Sequence, residues 1–144
     1  MDCGVAQVIP HQSGKVISIN HLWSYEIRII GEILQVIVNV LDYGMDVQSA
    51  VNAPRFHHQW LPDVVYAEPF TFSADTAAKL AAMGYKFKEQ APWGAAEAIL
   101  VAPPISAAGA ASGIDDSIHS SPLVPGHLYG ANDARRPGGA AMGY

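Results

Sequence analysis

The sequence predicts a mixed α/β domain, and three observations carry that reading. A largely apolar run over 27–44 is too long for an ordinary strand and reads as a helix. An alanine-rich segment that starts at Ser73 and ends at Gly84 reads as another. Around them lie short, turn-bounded runs with β-branched and aromatic residues, which read as strands alternating with the helices.

Residues 1–26 hold two β-like pieces, VAQVIP and KVISI, around a Pro-His-Gln-Ser-Gly turn. From Ile27 the run IRIIGEILQVIVNVLDYG is apolar at 27, 29, 30, 33, 34, 36, 37, 38, 40 and 41, so its helix would be apolar nearly all round, and its length favours a buried helix over a strand. Gly44 is placed as a left-handed C-cap. Asp46 is placed to cap a short helix, DVQSAVNA, which Pro54 stops. VVYAEPF follows as a strand. Ser73 as N-cap and Asp75 in the first turn then open the helix SADTAAKLAAMG. YKFKEQ alternates like a half-buried strand, and AAEAILVA is a nearly all-apolar one. The stretch 103–126 is rich in Pro, Gly, Ala and Ser without periodicity and reads as a surface loop or insertion. LYGAND and GAAMGY read as terminal strands around a turn containing ARRPGG. No internal repeat is visible.

A chain of 144 residues suits one domain with a modest core. Half its residues are apolar and 15% charged, a globular rather than disordered composition. The net charge of −5, with eight scattered Lys and Arg, argues against nucleic acid or an anionic membrane as partner. Cys3, the sole cysteine, cannot form an internal disulfide and leaves the compartment open. No apolar run approaches the roughly 20 residues of a membrane span. The first residues do not read as a secretory signal.

The densest candidate chemistry is NAPRFHHQWLPD, residues 52–63. A metal site needs ligands that converge, but neighbours such as His57 and His58 face opposite ways on a strand and lie about 100° apart on a helix. Asp63 is separated from them by Trp60 and Pro62. The stretch therefore reads as a packed connection, its imidazoles and indole satisfied by backbone groups, with no metal. No GxSxG elbow is present, and Cys3 has no companion base. Thr71 and Thr76, the two threonines, sit where helix capping explains them. Asp115 and Asp116 lie in the low-complexity loop. Asp133, Arg135 and Arg136 concentrate charge near glycines, which suits either an anion site or a structural Asp–Arg pair. Residue chemistry by itself reaches an α/β domain with no visible active site.

The blocks RII and LQVIVNVLDYGM, NAPRFHHQWLPD, WGAAEAILV and LYGANDARRPGGAAMGY occur in that order between Arg28 and Tyr144. Together they resemble the C-terminal part of the small subunit of the gamma-glutamyltranspeptidase (glutathione hydrolase) family. The resemblance implies an incomplete portion of an N-terminal-nucleophile hydrolase αββα sandwich over 27–144, with 1–26 outside the match. It implies a proenzyme that cleaves itself, and a small-subunit threonine that attacks the γ-glutamyl bond through an acyl-enzyme, using no metal or organic cofactor. A large-subunit-like chain is the implied partner, and γ-glutamyl compounds bind only if such a chain completes the site.

The carry-over stops at the chemistry. Nothing upstream matches the family's Thr-Thr-His motif, and no threonine precedes Thr71. Ser120 and Ser121 do not match the setting of its glutamate-binding serine pair. Where the family has two oxyanion-hole glycines before Arg-Ile, this chain has Tyr25 and Glu26. The resemblance thus implies no catalytic residue here and a chain inactive alone. Alternatives are a subunit that complements a separate catalytic chain, or a non-catalytic interaction module. In the family the 52–63 stretch is scaffold behind the catalytic sheet.

Overall fold

Apolar side chains at every second position draw β2 (Val16–Leu22) and β6 (Ala95–Val101) into one sheet. The register sets Ile17 opposite Leu100 and Ile19 opposite Ala98, and all four are buried on one face. In the computed structural model, which describes residues 7–10, 14–22, 28–102, 123–136 and 138–140, β1 (Gln7–Pro10) pairs outside β2 and β7 (Leu128–Ala131) outside β6. This four-stranded sheet is antiparallel throughout. Cys3, Tyr25, Glu26, Asp115, Asp116, Ser120 and Ser121 lie outside the described residues, as does most of the loop expected at 103–126. Of the expected final strand only Gly139 and Ala140 are described, and neither is in a strand.

Helices α1 (Ile29–Leu41) and α2 (Val47–Asn52) cover one face of that sheet. Ile33, Val36 and Val40 from α1 meet Val47, Ala50 and Val51 from α2 over Ile17, Ile19, Ala96, Ala98 and Leu100. The small alanines of β6 leave room for α2 to lie close to the strands. Helix α1 is buried along one stripe only. Ile30 is 76% and Leu34 57% exposed, because a helix resting on a single sheet buries one stripe whatever its composition.

Gly44 is left-handed, with φ of 65°, but the helix already ends at Leu41 with Asp42 as cap. The glycine turns the chain beyond it, so that Met45 N–H reaches back to Asn39 O. Asp46 caps α2 as the sequence predicts: its Oδ1 accepts from Ser49 N–H at 2.9 Å. Hydrogen bonding from the Ser49 side chain, and then this backbone bond, lower the carboxyl pKa. Asp46→Ala should lower stability by about 1 kcal/mol in urea unfolding.

A second, three-stranded sheet forms from β3 (Phe56–His57), β4 (Val65–Ala67) and β5 (Phe87–Glu89). β3 and β4 are antiparallel, whereas β4 and β5 are parallel and are connected through α3 (Ala74–Ala82). The strands foreseen over VVYAEPF and YKFKEQ form, but each is only three residues long. β3 lies inside the stretch read as a connection and was not legible in the pattern. Ser73 occupies the N-cap of α3, yet its hydroxyl lies 2.5 Å from Asp75 Oδ1 and 2.8 Å from Thr76 Oγ1 and makes no bond to a backbone amide.

Two glutamines fasten the helices to the sheets. Gln35 of α1 donates from Nε2 to Phe56 O at 2.9 Å and accepts Phe56 N–H on Oε1 at 3.1 Å. Gln48 of α2 does the same for Asn132, at 2.7 and 3.2 Å. Each side-chain amide stands in for a neighbouring strand at a sheet edge, β3 in one sheet and the end of β7 in the other. Among the described residues no helix is long and apolar enough to cross a membrane.

Candidate functional site

The most concentrated polar chemistry in the fold surrounds Arg55, which is 2% exposed. Its Nη1 lies 2.5 Å from Glu32 Oε1 on α1, and its Nη2 lies 2.5 Å from Asp133 Oδ2 just beyond β7. Nη2 also donates to Val51 O at 3.0 Å and Nη1 to Trp93 O at 3.2 Å. Arg135 continues the network. It donates from Nε to Glu68 Oε1 at 2.9 Å, pairs through Nη2 with Glu68 Oε2, and lies 3.1 Å from Asp133 Oδ1. Glu68 further accepts the backbone N–H groups of Arg55 and Trp93, each at 3.2 Å. Two guanidinium groups thus bind three buried carboxylates drawn from α1, the end of β4 and the turn after β7. Only the planar, five-donor guanidinium can serve so many acceptors at once.

Burial pushes the Asp133 carboxyl up. The bond from Ala96 N–H, the charge of Arg55 and the bond from Arg135 N–H outweigh it and hold the group below its ordinary value of 3.8. Burial likewise works to lower the Arg135 pKa, but its bonds to Glu68 and Asp133 keep it raised. Gly94 completes the site. It is left-handed, with φ of 67°, and an added Cβ would collide with Glu32 Oε2. Gly94→Ala should therefore cost on the order of 2 kcal/mol in backbone strain before the collision is counted, read as a lowered urea midpoint.

The histidines do not converge. His57 Nε2 faces Gln59 Oε1 at 3.3 Å, and His58 Nε2 faces Asp63 Oδ1 at 3.1 Å. Their partners are side chains and not the expected backbone groups, and Trp60 is 76% exposed instead of packed. The physical reason is the short β3 strand: it takes His57 inward and starts a turn that carries His58 and Trp60 outward. No group of three or more His, Cys, Asp or Glu side chains among the described residues is arranged to hold a metal ion. The Thr71 hydroxyl lies 2.7 Å from Glu68 O and 3.2 Å from Arg55 O, so it stitches a turn. Of the 133–136 cluster, Asp133 and Arg135 form the structural pair, while Arg136 is exposed. Glu32, Arg55 and Glu68 went unnoticed as site residues. Their signal was a lone acid in an apolar helix and a lone arginine beside two more conspicuous histidines.

This arrangement can be set beside known proteins. A family model described as gamma-glutamyltranspeptidase matches residues 27–143. The chain belongs to the gamma-glutamyltranspeptidase family. It is 41% identical over 117 residues to the glutathione hydrolase proenzyme of Pseudomonas sp. (strain A14), a match covering 81% of this chain and 18% of that one. The Escherichia coli (strain K12) glutathione hydrolase proenzyme is 39% identical over 117 residues, covering 81% and 16%. The chain thus spans less than a fifth of the length of these gamma-glutamyltranspeptidase relatives. A solved Helicobacter pylori gamma-glutamyltranspeptidase variant superposes with a TM-score of 0.66 at 32% identity, over 92% of this chain and 62% of that one. The Bacillus anthracis transpeptidase CapD shares the fold, with a TM-score of 0.63 at 17% identity over 99% and 72%. The fold is accordingly a partial N-terminal-nucleophile hydrolase domain.

Proposed function

We propose that residues 27–144 form the C-terminal scaffold of a gamma-glutamyltranspeptidase small subunit and that this chain alone does not cleave γ-glutamyl bonds. The observation that carries the reading is the Arg55 network. The most concentrated cluster of charge among the described residues consists of carboxylates and guanidinium groups paired with one another, which suits a scaffold and not a nucleophile or base. The two threonine hydroxyls support it, since each is engaged at a turn or helix start. So do Tyr25 and Glu26 at the oxyanion-glycine positions: side chains there hinder backbone approach, and a carboxylate beside a developing oxyanion opposes it. A complete enzyme of this family requires further polypeptide to supply the threonine nucleophile, whose own α-amino group can serve as base. A large-subunit-like chain is the partner that would complete it. No metal or organic cofactor enters this reading.

The test is incubation of the purified chain with a γ-glutamyl anilide. The expected rate equals that of a heat-killed control. Turnover that survives Thr71→Ala and Thr76→Ala would reveal a site elsewhere in the chain and overturn the proposal.

A further inference from the structure

Arg28, the N-cap residue of α1, is the one arginine whose guanidinium is fixed by aromatic faces and not by carboxylates. Its Cζ lies 5.4 Å from the centre of the Tyr66 ring and 5.3 Å from that of Trp93. Lys88 Nζ lies 5.8 Å from the same Tyr66 ring. Among the described residues neither cation has a carboxylate within ion-pair distance, although the chain carries a net charge of −5. Arg28, Tyr66 and Trp93 are half-buried and Lys88 is exposed, so the group is reachable from solvent.

The walls of this cage are themselves anchored. The Trp93 backbone N–H donates to Glu68 and its backbone carbonyl accepts from Arg55, which fixes the main chain that carries the indole to the buried network. Tyr66 sits in the middle strand of the smaller sheet, opposite both His57 and Lys88. A guanidinium held against ring faces keeps its N–H edge available, and that edge matches a carboxylate bidentately. The second cation on Tyr66 raises the local positive potential in an otherwise acidic chain.

We propose that Arg28, clamped by Tyr66 and Trp93 and assisted by Lys88, is a binding site for the carboxylate of a small peptide. The site takes a planar anion and needs no covalent step. Only the natural carrier rests on the γ-glutamyl reading: there, the carboxylate is the one at the peptide end remote from the γ-glutamyl bond. Carboxylate binding itself does not depend on turnover, so it can fail or succeed independently of the activity assay.

The test is an NMR titration of the full chain at constant ionic strength, following the Trp93 indole and Tyr66 ring signals. N-acetylglycine is the probe and N-acetylglycinamide, which lacks the carboxylate, the control. The expected result is a saturable shift with the acid, none with the amide, and a loss of affinity of at least tenfold in Arg28→Gln. Lys88→Gln should weaken binding severalfold. Chloride at matched concentration should not reproduce the shift. If Arg28 only anchors the helix, the acid and amide will behave alike; that outcome, or saturable binding unchanged in a folded Arg28→Gln, overturns the proposal. Arg28→Lys separates folding from recognition: it retains charge and should bind more weakly than the parent while giving the parent's amide dispersion.

Discussion

Arg55→Ala is expected to cost the chain a large part of its stability, about 3–5 kcal/mol. The substitution leaves Glu32 and Asp133 buried, at 2% and 0% exposure, without the guanidinium that faces both. It also removes the donors to Val51 O and Trp93 O, which hold α2 and the segment before β6 in place. A small domain has a total stability of about 5–15 kcal/mol, so the loss approaches the unfolding threshold. Urea unfolding followed by near-ultraviolet circular dichroism reads it. Arg136→Ala serves as control: that side chain is exposed, and a change within about 0.5 kcal/mol is expected. A shift under 1 kcal/mol for Arg55→Ala would show that the network contributes little.

The second large effect is acid sensitivity centred on Asp133. Its pKa is lower in the folded chain than the ordinary 3.8. A carboxylate depressed by folding contributes stability that is fully present above its unfolded pKa and lost as pH falls through the folded value. Stability should therefore fall steeply below about pH 4. Asp133→Asn removes that contribution. Asparagine cannot accept with two charged oxygens from Arg55, Arg135 and Ala96 N–H at once. The variant should be clearly less stable at pH 7, with a flatter dependence between pH 3 and 6. Parallel curves for parent and variant would assign the acid sensitivity to other groups.

How much of this was legible in the sequence follows from what each feature depends on. The helix at 29–41 was readable from the length of its apolar run and that at 74–82 from its alanine-rich segment between Ser73 and Gly84, both of them local signals. Their burial was not: Ile30 and Leu34 are exposed through the placement of one sheet, which no run of apolar residues encodes. The short β3 strand escaped because two residues carry no periodicity, and its edge is closed by Gln35 from another element. The Asp133–Arg135 pair was visible as a local cluster. Its extension to Arg55, Glu32 and Glu68 joins residues distant in the chain, and only packing brings them together. Of the 52–63 stretch, the histidines attracted attention by type while the arginine carried the structure. His57 and His58 diverge as neighbours in a short strand must, although their partners proved to be side chains.

Residues 52–63 are expected to serve the fold through Arg55 and not chemistry through His57 and His58. The most direct measurement is urea unfolding of Arg55→Lys beside a His57→Ala, His58→Ala double variant, each with and without zinc. A lysine keeps the charge but cannot span Glu32, Asp133 and two carbonyls, so its midpoint should fall clearly. The double variant should shift less, and zinc should move neither the variants nor the parent. A parent midpoint raised by zinc and returned to baseline in the double variant, with Arg55→Lys neutral, would assign the stretch's role to the histidines instead.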